Sequence, residues 1–310
     1  MTSARYPLPT DLVALVSFDG RVYPNEAKPW DRLGLDERCP HPLEAALEQW
    51  FSFATGKHAW VSIRGATIRG LISARPRAKR SAWEVEVLIN ADEDKSVALS
   101  LLDRMAGGVA KLGAERVFLR LRAESPLLPV ARQAGFFPYS SETLYRVQGL
   151  ALLDAPSIPL RPRTKSDTLG IFQLYARAVP ANIRAIEGAT LREWQAALEP
   201  WAGRPADLFL EEDGIIAAWL RLLPGHCGRF SLLTMLGHHD REVLLQAALA
   251  RLAGSRFLLC LVPAHDPVLA QSLERLGFGP VGEYVALARR LVKPIGETAP
   301  AKMGTAVPIR

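Results

Sequence analysis

One series of sequence elements occurs twice in this chain, at a spacing of about half its 310 residues. A repeat of that length signals duplicated domains rather than a solenoid of short units. The clearest copy closes each half. Ser125-Pro126 opens a helix that ends in Ala134-Gly135-Phe136-Phe137-Pro138, and Asp266-Pro267 opens one that ends in Leu276-Gly277-Phe278-Gly279-Pro280. Ser and Asp cap, Pro suits a first turn and Gly suits a helix exit. Each half starts alike too. Thr10-Asp11 and Ser166-Asp167 precede apolar-rich runs and can accept from the free amides of a first helical turn.

Between these ends the halves stay in step. Second helices are expected over 42–54 and 191–198, the latter after Thr190. Three strand-like runs follow in each half: Ala59–Arg64, Ile68–Ala74 and Ala82–Ile89, then Asp207–Glu211, Ile215–Leu223 and Phe230–Leu236. Gly65-Ala66 and Asp213-Gly214 are the turns between the first two of each set, and Asp-Gly is a strong hairpin signal. A helix with apolar residues at Val97, Leu101, Met105, Val109 and Leu112 is matched by one around Val243, Ala247 and Leu252. All-apolar runs at Val117–Leu121 and Phe257–Val262 read as buried central strands. Final strands are expected around Thr143–Val147 and Tyr284–Leu291. This divides the chain into domains at 1–150 and 158–293, with a linker near 149–160 and a loose tail at 294–310.

Composition adds bounds. The hydrophobic fraction is 49% and the charged fraction 23%, ordinary for a globular chain. No apolar run is long enough to span a bilayer, and no membrane association is expected. The first residues lack the pattern of a secretory signal. Cys39, Cys227 and Cys260 are scattered and odd in number, against a disulfide framework or a zinc site, and the expected compartment is a reducing cytoplasm. The net charge of +6 is spread evenly over both halves, so nucleic acid is not an expected partner.

The element order, a strand, two helices, three antiparallel strands, helix, strand, helix and last strands, with Gly-Phe ending the last helix, resembles the GNAT superfamily of acetyl-CoA-dependent N-acyltransferases. The resemblance covers about 4–147 and 158–291. It implies an α/β (α+β) chain of two tandem GNAT-like domains, each a mixed, mostly antiparallel sheet flanked by helices. It also implies acetyl-CoA or another acyl-CoA as cofactor, and a small-molecule or peptide amine as acceptor, attacking the thioester directly. In the family, a splayed strand holds the pantetheine arm. A Gln/Arg-x-x-Gly-x-Gly/Ala turn then presents amides to the pyrophosphate. Aligned on Leu101-Leu102, the first half offers Glu93-Asp94-Lys95-Ser96-Val97-Ala98, with small residues at Ser96 and Ala98 but carboxylates at Asp92, Glu93 and Asp94. The second half, with Val243 set against Val97, offers His239-Asp240-Arg241-Glu242-Val243-Leu244 and has lost both small positions. The tyrosine that often protonates the leaving thiolate is Ala131 in one half and Leu273 in the other. Both motif sets are therefore degenerate.

On this resemblance the first domain is the expected active site. Its expected cofactor residues are Leu88, Ile89, Asn90, Lys95, Ser96, Val97 and Ala98. Its candidate acid–base groups are Glu84 and Glu86, which share a strand face, and Tyr139 and Tyr145 beyond the Gly-Phe turn. The bland alternatives are a solvated strand face for the two glutamates and packing for the tyrosines. His238-His239 reads as a polar loop rather than a metal pair, so no metal is expected. Arg75, Arg77, Lys79 and Arg80 form a basic hairpin tip that is either solvated or steers an acidic partner. Two rival functions stand beside acyl transfer: a catalytically silent binding or assembly module, and an RNA-associated protein.

Overall fold

The computed structural model describes residues 4–11, 14, 23–34, 56–65, 67–91, 94–148 and 158–291. The expected helix over 42–54, most of the first helix after Asp11, the linker over 149–157 and the tail lie outside the described residues. All eleven described strands join one sheet.

In the first half, β1 (His58–Arg64), β2 (Thr67–Pro76) and β3 (Ala82–Asn90) form an antiparallel meander. Their side chains alternate between two apolar clusters, because successive residues of a strand point to opposite faces. Trp60, Ile72, Trp83 and Leu88 pack under α1 (Lys95–Lys111), whereas Val61, Leu71, Val87 and Ile89 pack on the other face. The ladder between β2 and β3 skips Glu86, a bulge that bends β3. β4 (Arg116–Arg122) runs parallel to β3, then α2 (Leu128–Gln133) and β5 (Phe137–Gln148) follow.

The second half repeats this. After β6 (Arg161–Pro162) come three helices, α3 (Thr168–Ala178), α4 (Ala181–Glu187) and α5 (Leu191–Ala197). β7 (Ala206–Glu212), β8 (Ile215–Leu223) and β9 (Cys227–Thr234) form the second meander. α6 (His238–Arg251), β10 (Phe257–Pro263), α7 (Pro267–Arg275) and β11 (Gly279–Arg290) complete it. Asp213 and Gly214 both have positive φ, 51° and 74°, which is what a tight two-residue hairpin demands. Gly135 and Gly277, at φ +76° and +86°, let the chain leave α2 and α7 in the left-handed conformation.

The duplication reaches single hydrogen bonds. Arg5 clamps Asp11 with two bonds of 2.7 and 2.8 Å, and Arg161 clamps Asp167 with two of 2.9 Å. In each case the Asp also accepts from an amide three residues back, Leu8 at 2.8 Å and Thr164 at 2.6 Å. These carboxylates thus turn backward. Asp167 does not cap α3; it closes a capping box with Thr164 around the short turn Lys165–Asp167. Ser125 is displaced from its expected cap as well, since α2 starts at Leu128. Its hydroxyl accepts from Leu127 and donates to Glu26.

The halves trade their last strands. The sheet order is β1-β2-β3-β4-β11-β5-β10-β9-β8-β7-β6. β11 lies antiparallel between β4 and β5, and β5 lies antiparallel between β11 and β10. Each half's central strand therefore pairs with the other half's final strand. The cores are shared to match: Leu287 sits in the first-half cluster and Tyr145 in the second.

Candidate active site

Each half contains one place where parallel strands part. β3 and β4 pair only over Ala82–Glu84 and Arg116–Phe118, and β9 and β10 pair only over Cys227–Phe230 and Phe257–Cys260. Beyond these points the facing strand edges have unspent backbone donors and acceptors, which must find partners. The two gaps solve this differently.

In the first half the chain fills its own gap. Asn25 donates to Glu86 O at 3.0 Å and accepts from Leu88 N at 2.9 Å. Glu26 N donates to Leu88 O and Lys28 N donates to Arg120 O, both at 2.9 Å. The segment 25–28 thus lies between β3 and β4 and takes up main-chain groups of both. The helix start beside it is closed too. Asp94 caps α1, accepting from Ser96 N at 2.9 Å and Ser96 Oγ at 2.7 Å, so a carboxylate already holds the site where an anion would dock.

Of the residues expected to hold cofactor, Leu88, Ile89, Val97 and Ala98 are buried in the two apolar clusters. Leu88 spends both main-chain groups on the inserted segment. Asn90 is half-buried at the end of β3, and Lys95 and Ser96 are exposed on the first turn of α1. Glu84 and Glu86 are neither solvated nor free. Arg75 and Arg77 bind Glu84 at 2.6 and 3.2 Å, and Arg32 and Lys57 bind Glu86 at 2.8 and 3.2 Å. The supposed basic tip is split by the same pairing: Arg75 and Arg77 turn inward, and Lys79 and Arg80 stay exposed.

In the second half no described segment fills the gap. It leads into a cavity of about 330 Å³, bounded by Ser231–Met235 on β9 and beyond, by Leu261 and Pro263 on β10, and by α3, α4 and α5. α6 starts from Gly237 with no side-chain cap, and a Cβ on Gly237 would meet nothing within 4 Å. The side chains of His238 and His239 lie outside the described set. The sequence register of this loop needs correcting by three residues. Cap position and burial set Gly237 against Asp94, Arg241 against Ala98 and Leu244 against Leu101. Arg241 folds back, donating to Leu236 O at 2.7 Å, to Thr234 O at 3.2 Å and to Asp266, the cap of α7.

Of the four candidate acid–base groups, only Tyr139 lines this cavity. Burial holds its hydroxyl well above the usual tyrosine range, so it stays a proton donor. Tyr145 points elsewhere, donating to Glu274 on α7 at 3.0 Å. The cavity instead gathers residues that no sequence motif marks. Glu142 and Glu199 are bound by Arg120 at 2.6 and 2.7 Å, and Arg77 binds Glu199 at 2.9 Å. Burial opposes the charge on Glu199, yet Arg120 and Arg77 hold it below the ordinary carboxylate range. Glu187, at the end of α4, has no such cation. Among the described residues its carboxylate accepts only the Tyr175 hydroxyl, at 2.9 Å, while its main-chain carbonyl accepts from Arg116 at 2.8 Å. Burial, with Glu142 and Glu199 nearby, pushes it up to about 7 against the opposing effects of Tyr175 and Arg77. His265, on the loop before α7, is lowered by burial and is therefore neutral at pH 7, and its Nδ1 is buried without a partner among the described residues.

One signal for Glu187 was available. Val179-Pro180 marks a helix start, and Gly188 marks its end. A Cβ on Gly188 would come within 2.2 Å of Trp194 N, so this exit must stay bare for α4 to lie against α5.

No protein-family model and no curated protein matches this sequence. Solved structures do resemble the fold. A GCN5-related N-acetyltransferase from Sphaerobacter thermophilus superposes with a TM-score of 0.57 at 15% identity, covering 93% of this chain and 95% of that one. A tandem GNAT protein from the clavulanic acid biosynthesis pathway gives 0.50 at 14% identity, over 90% and 93%. The N-myristoyltransferase of Saccharomyces cerevisiae, with bound myristoyl-CoA and inhibitors, gives 0.51 at 15% identity, over 93% and 79%. With the strand order and the two parted strand pairs already described, these likenesses make this a GNAT-fold protein.

Proposed function

We propose that this protein is an acyl-CoA-dependent N-acyltransferase that works through the cleft of its second half, with acetyl-CoA or another acyl-CoA as donor and a primary amine as acceptor. The observation that carries this reading is the contrast between the gaps: one is filled by the chain's own residues 25–28, and the other opens into a cavity.

The second cleft suits the cofactor. The uncapped start of α6 offers amides and a favourable potential to a pyrophosphate, with open space before Gly237. When bound, acyl-CoA supplies a thioester carbonyl open to attack by an amine. Glu187 holds the acceptor nitrogen and takes its proton, for which a carboxyl near neutrality is well matched. Tyr175 occupies one carboxylate oxygen and so aims the other. Tyr139 presents a hydroxyl donor to the same space, and His265 presents a neutral imidazole. Leu273 stands where the family often has its tyrosine, and these two groups are the available substitutes.

The catalytically silent reading also has an observation in its favour. Arg241 fills a position that is small in the family and ties the end of β9 to the cap of α7. Titrating the protein with acetyl-CoA by calorimetry and by thermal melting separates the two, because a ligand of the native state must raise its melting temperature. The expected result is one site per chain, lost in Gly237→Trp, whose side chain would stand before α6. Absence of binding would sink the enzyme reading, and two sites per chain would show that residues 25–28 do not close the first cleft.

A further inference from the structure

The cavity also selects among amines, an inference that rests on the acyl-transfer reading above. Four carboxylates line it: Glu142, Glu187, Glu199 and Asp266. Three are matched by Arg120, Arg77 and Arg241. Among the described residues the Glu187 carboxylate is ion-paired to no cation and accepts only the Tyr175 hydroxyl; Arg116 binds the main-chain carbonyl instead. The chemistry left over is thus one negative charge, enough for one ammonium group.

One wall beside that charge is apolar and aromatic, while Arg77, Glu142 and Glu199 lie within electrostatic reach. The rings of Tyr175 and Trp194 lie 5.7 Å apart, and Tyr139, Val179 and Ile183 complete the wall. Aromatic faces attract a cation, and the apolar wall rewards a substrate that buries hydrocarbon beside it. A second positive charge on the substrate would meet Arg77, Arg120 and Arg221, which line the same cavity with their own carboxylates already engaged. A substrate carboxylate next to the amine would meet Glu187. At about 330 Å³ the cavity lies at the small end of ligand pockets, which span ~300–1,000 Å³.

We infer that the acceptor is a small monoamine with a single ammonium group and an apolar, ring-bearing body, held by Glu187 and Tyr175 between Tyr139 and Trp194. Polyamines and amino acids are excluded by charge.

The test needs no acyl donor. The full chain is titrated calorimetrically with 2-phenylethylamine, and separately with spermidine, phenylalanine and the uncharged 2-phenylethanol. The amine is expected to bind one to one, with the other three at least tenfold weaker. Glu187→Gln keeps the shape and an acceptor for Tyr175, and is expected to weaken the amine at least tenfold while leaving the alcohol unchanged. Equal binding of spermidine or phenylalanine would overturn the inference, as would an amine affinity that Glu187→Gln does not change. Should that variant fold poorly, the amine-to-alcohol ratio on the unaltered protein decides, and a ratio near one refutes the charge argument. Acetyl-CoA binding is read in its own titration. Amine bound without acetyl-CoA binding therefore removes the transfer reading and leaves this site, whereas acetyl-CoA bound with no amine removes this acceptor class alone.

Discussion

Glu187 and Glu199 are both half-buried carboxylates on one cavity, and they differ in their partners. Glu199 has two guanidiniums and is held below the ordinary carboxylate range; Glu187 has a phenol and is pushed up to about 7. That difference yields a prediction at the scale of the residue. If Glu187 is the base, it must be ionised to act. Below pH 7 it carries a proton and is idle, and above pH 7 it is free. The value of kcat/KM should rise about tenfold per pH unit toward 7, at fixed concentration of the ammonium form of the amine, and then level off. In Glu187→Gln the inflection should vanish and the rate should fall by ~10²–10⁴. A profile with the inflection intact in Glu187→Gln would transfer the role to another group, His265 first.

Among the elements, the inserted segment and the two helix starts explain why only one cleft is open. Asn25 is buried, and its side chain meets Glu86 O, Leu88 N and Ala27 N. Asn25→Leu keeps the bulk and removes all three bonds, which leaves buried amides without partners. Each such group costs ~1–3 kcal/mol, so the variant should lose about 3 kcal/mol in chemical denaturation. A loss below 0.5 kcal/mol, on the order of a neutral surface change, would mean that the segment merely rests in the gap. Among the described residues most strands and the longer helices were legible in the sequence, because their periodicity is local, although β5 and β11 both start earlier than expected and neither Ser125 nor Asp167 caps its helix. The register of the second helix start was not. Setting Val243 against Val97 misplaces it by three residues, close to one helical turn of 3.6, so the apolar face looks nearly the same either way. Cap and burial, which belong to the folded chain, decide it for Gly237. The short α4 was passed over because its seven residues hold too little periodicity to show a face.

Over the whole molecule, the trade of β5 and β11 binds the halves into one sheet. Nothing in the alternation of Gly279–Arg290 tells β4 from β10 as a partner, since pairing between distant segments leaves no local mark. The same applies to the ion-pair chain through Arg75, Glu84, Arg77, Glu199, Arg120 and Glu142, whose members come from both halves. A shared sheet should unfold as one. Denaturation followed by far-UV dichroism and by tryptophan fluorescence should give coincident curves, with Trp60 and Trp83 reporting the first half and Trp194 and Trp219 the second. Two separated transitions would show that the halves are independent after all.

The traded strand also sets an order on synthesis. β11 spans Gly279–Arg290, so it is made after every other described strand of the sheet, yet it lies between β4 and β5 and gives Leu287 to the first-half core. The first half thus waits for the second before its sheet closes. Until then the facing edges of β4 and β5 stand open, and unpaired strand edges are where nascent chains mispair. Completion of β11, rather than of the first 150 residues, is the point from which the shared sheet can close.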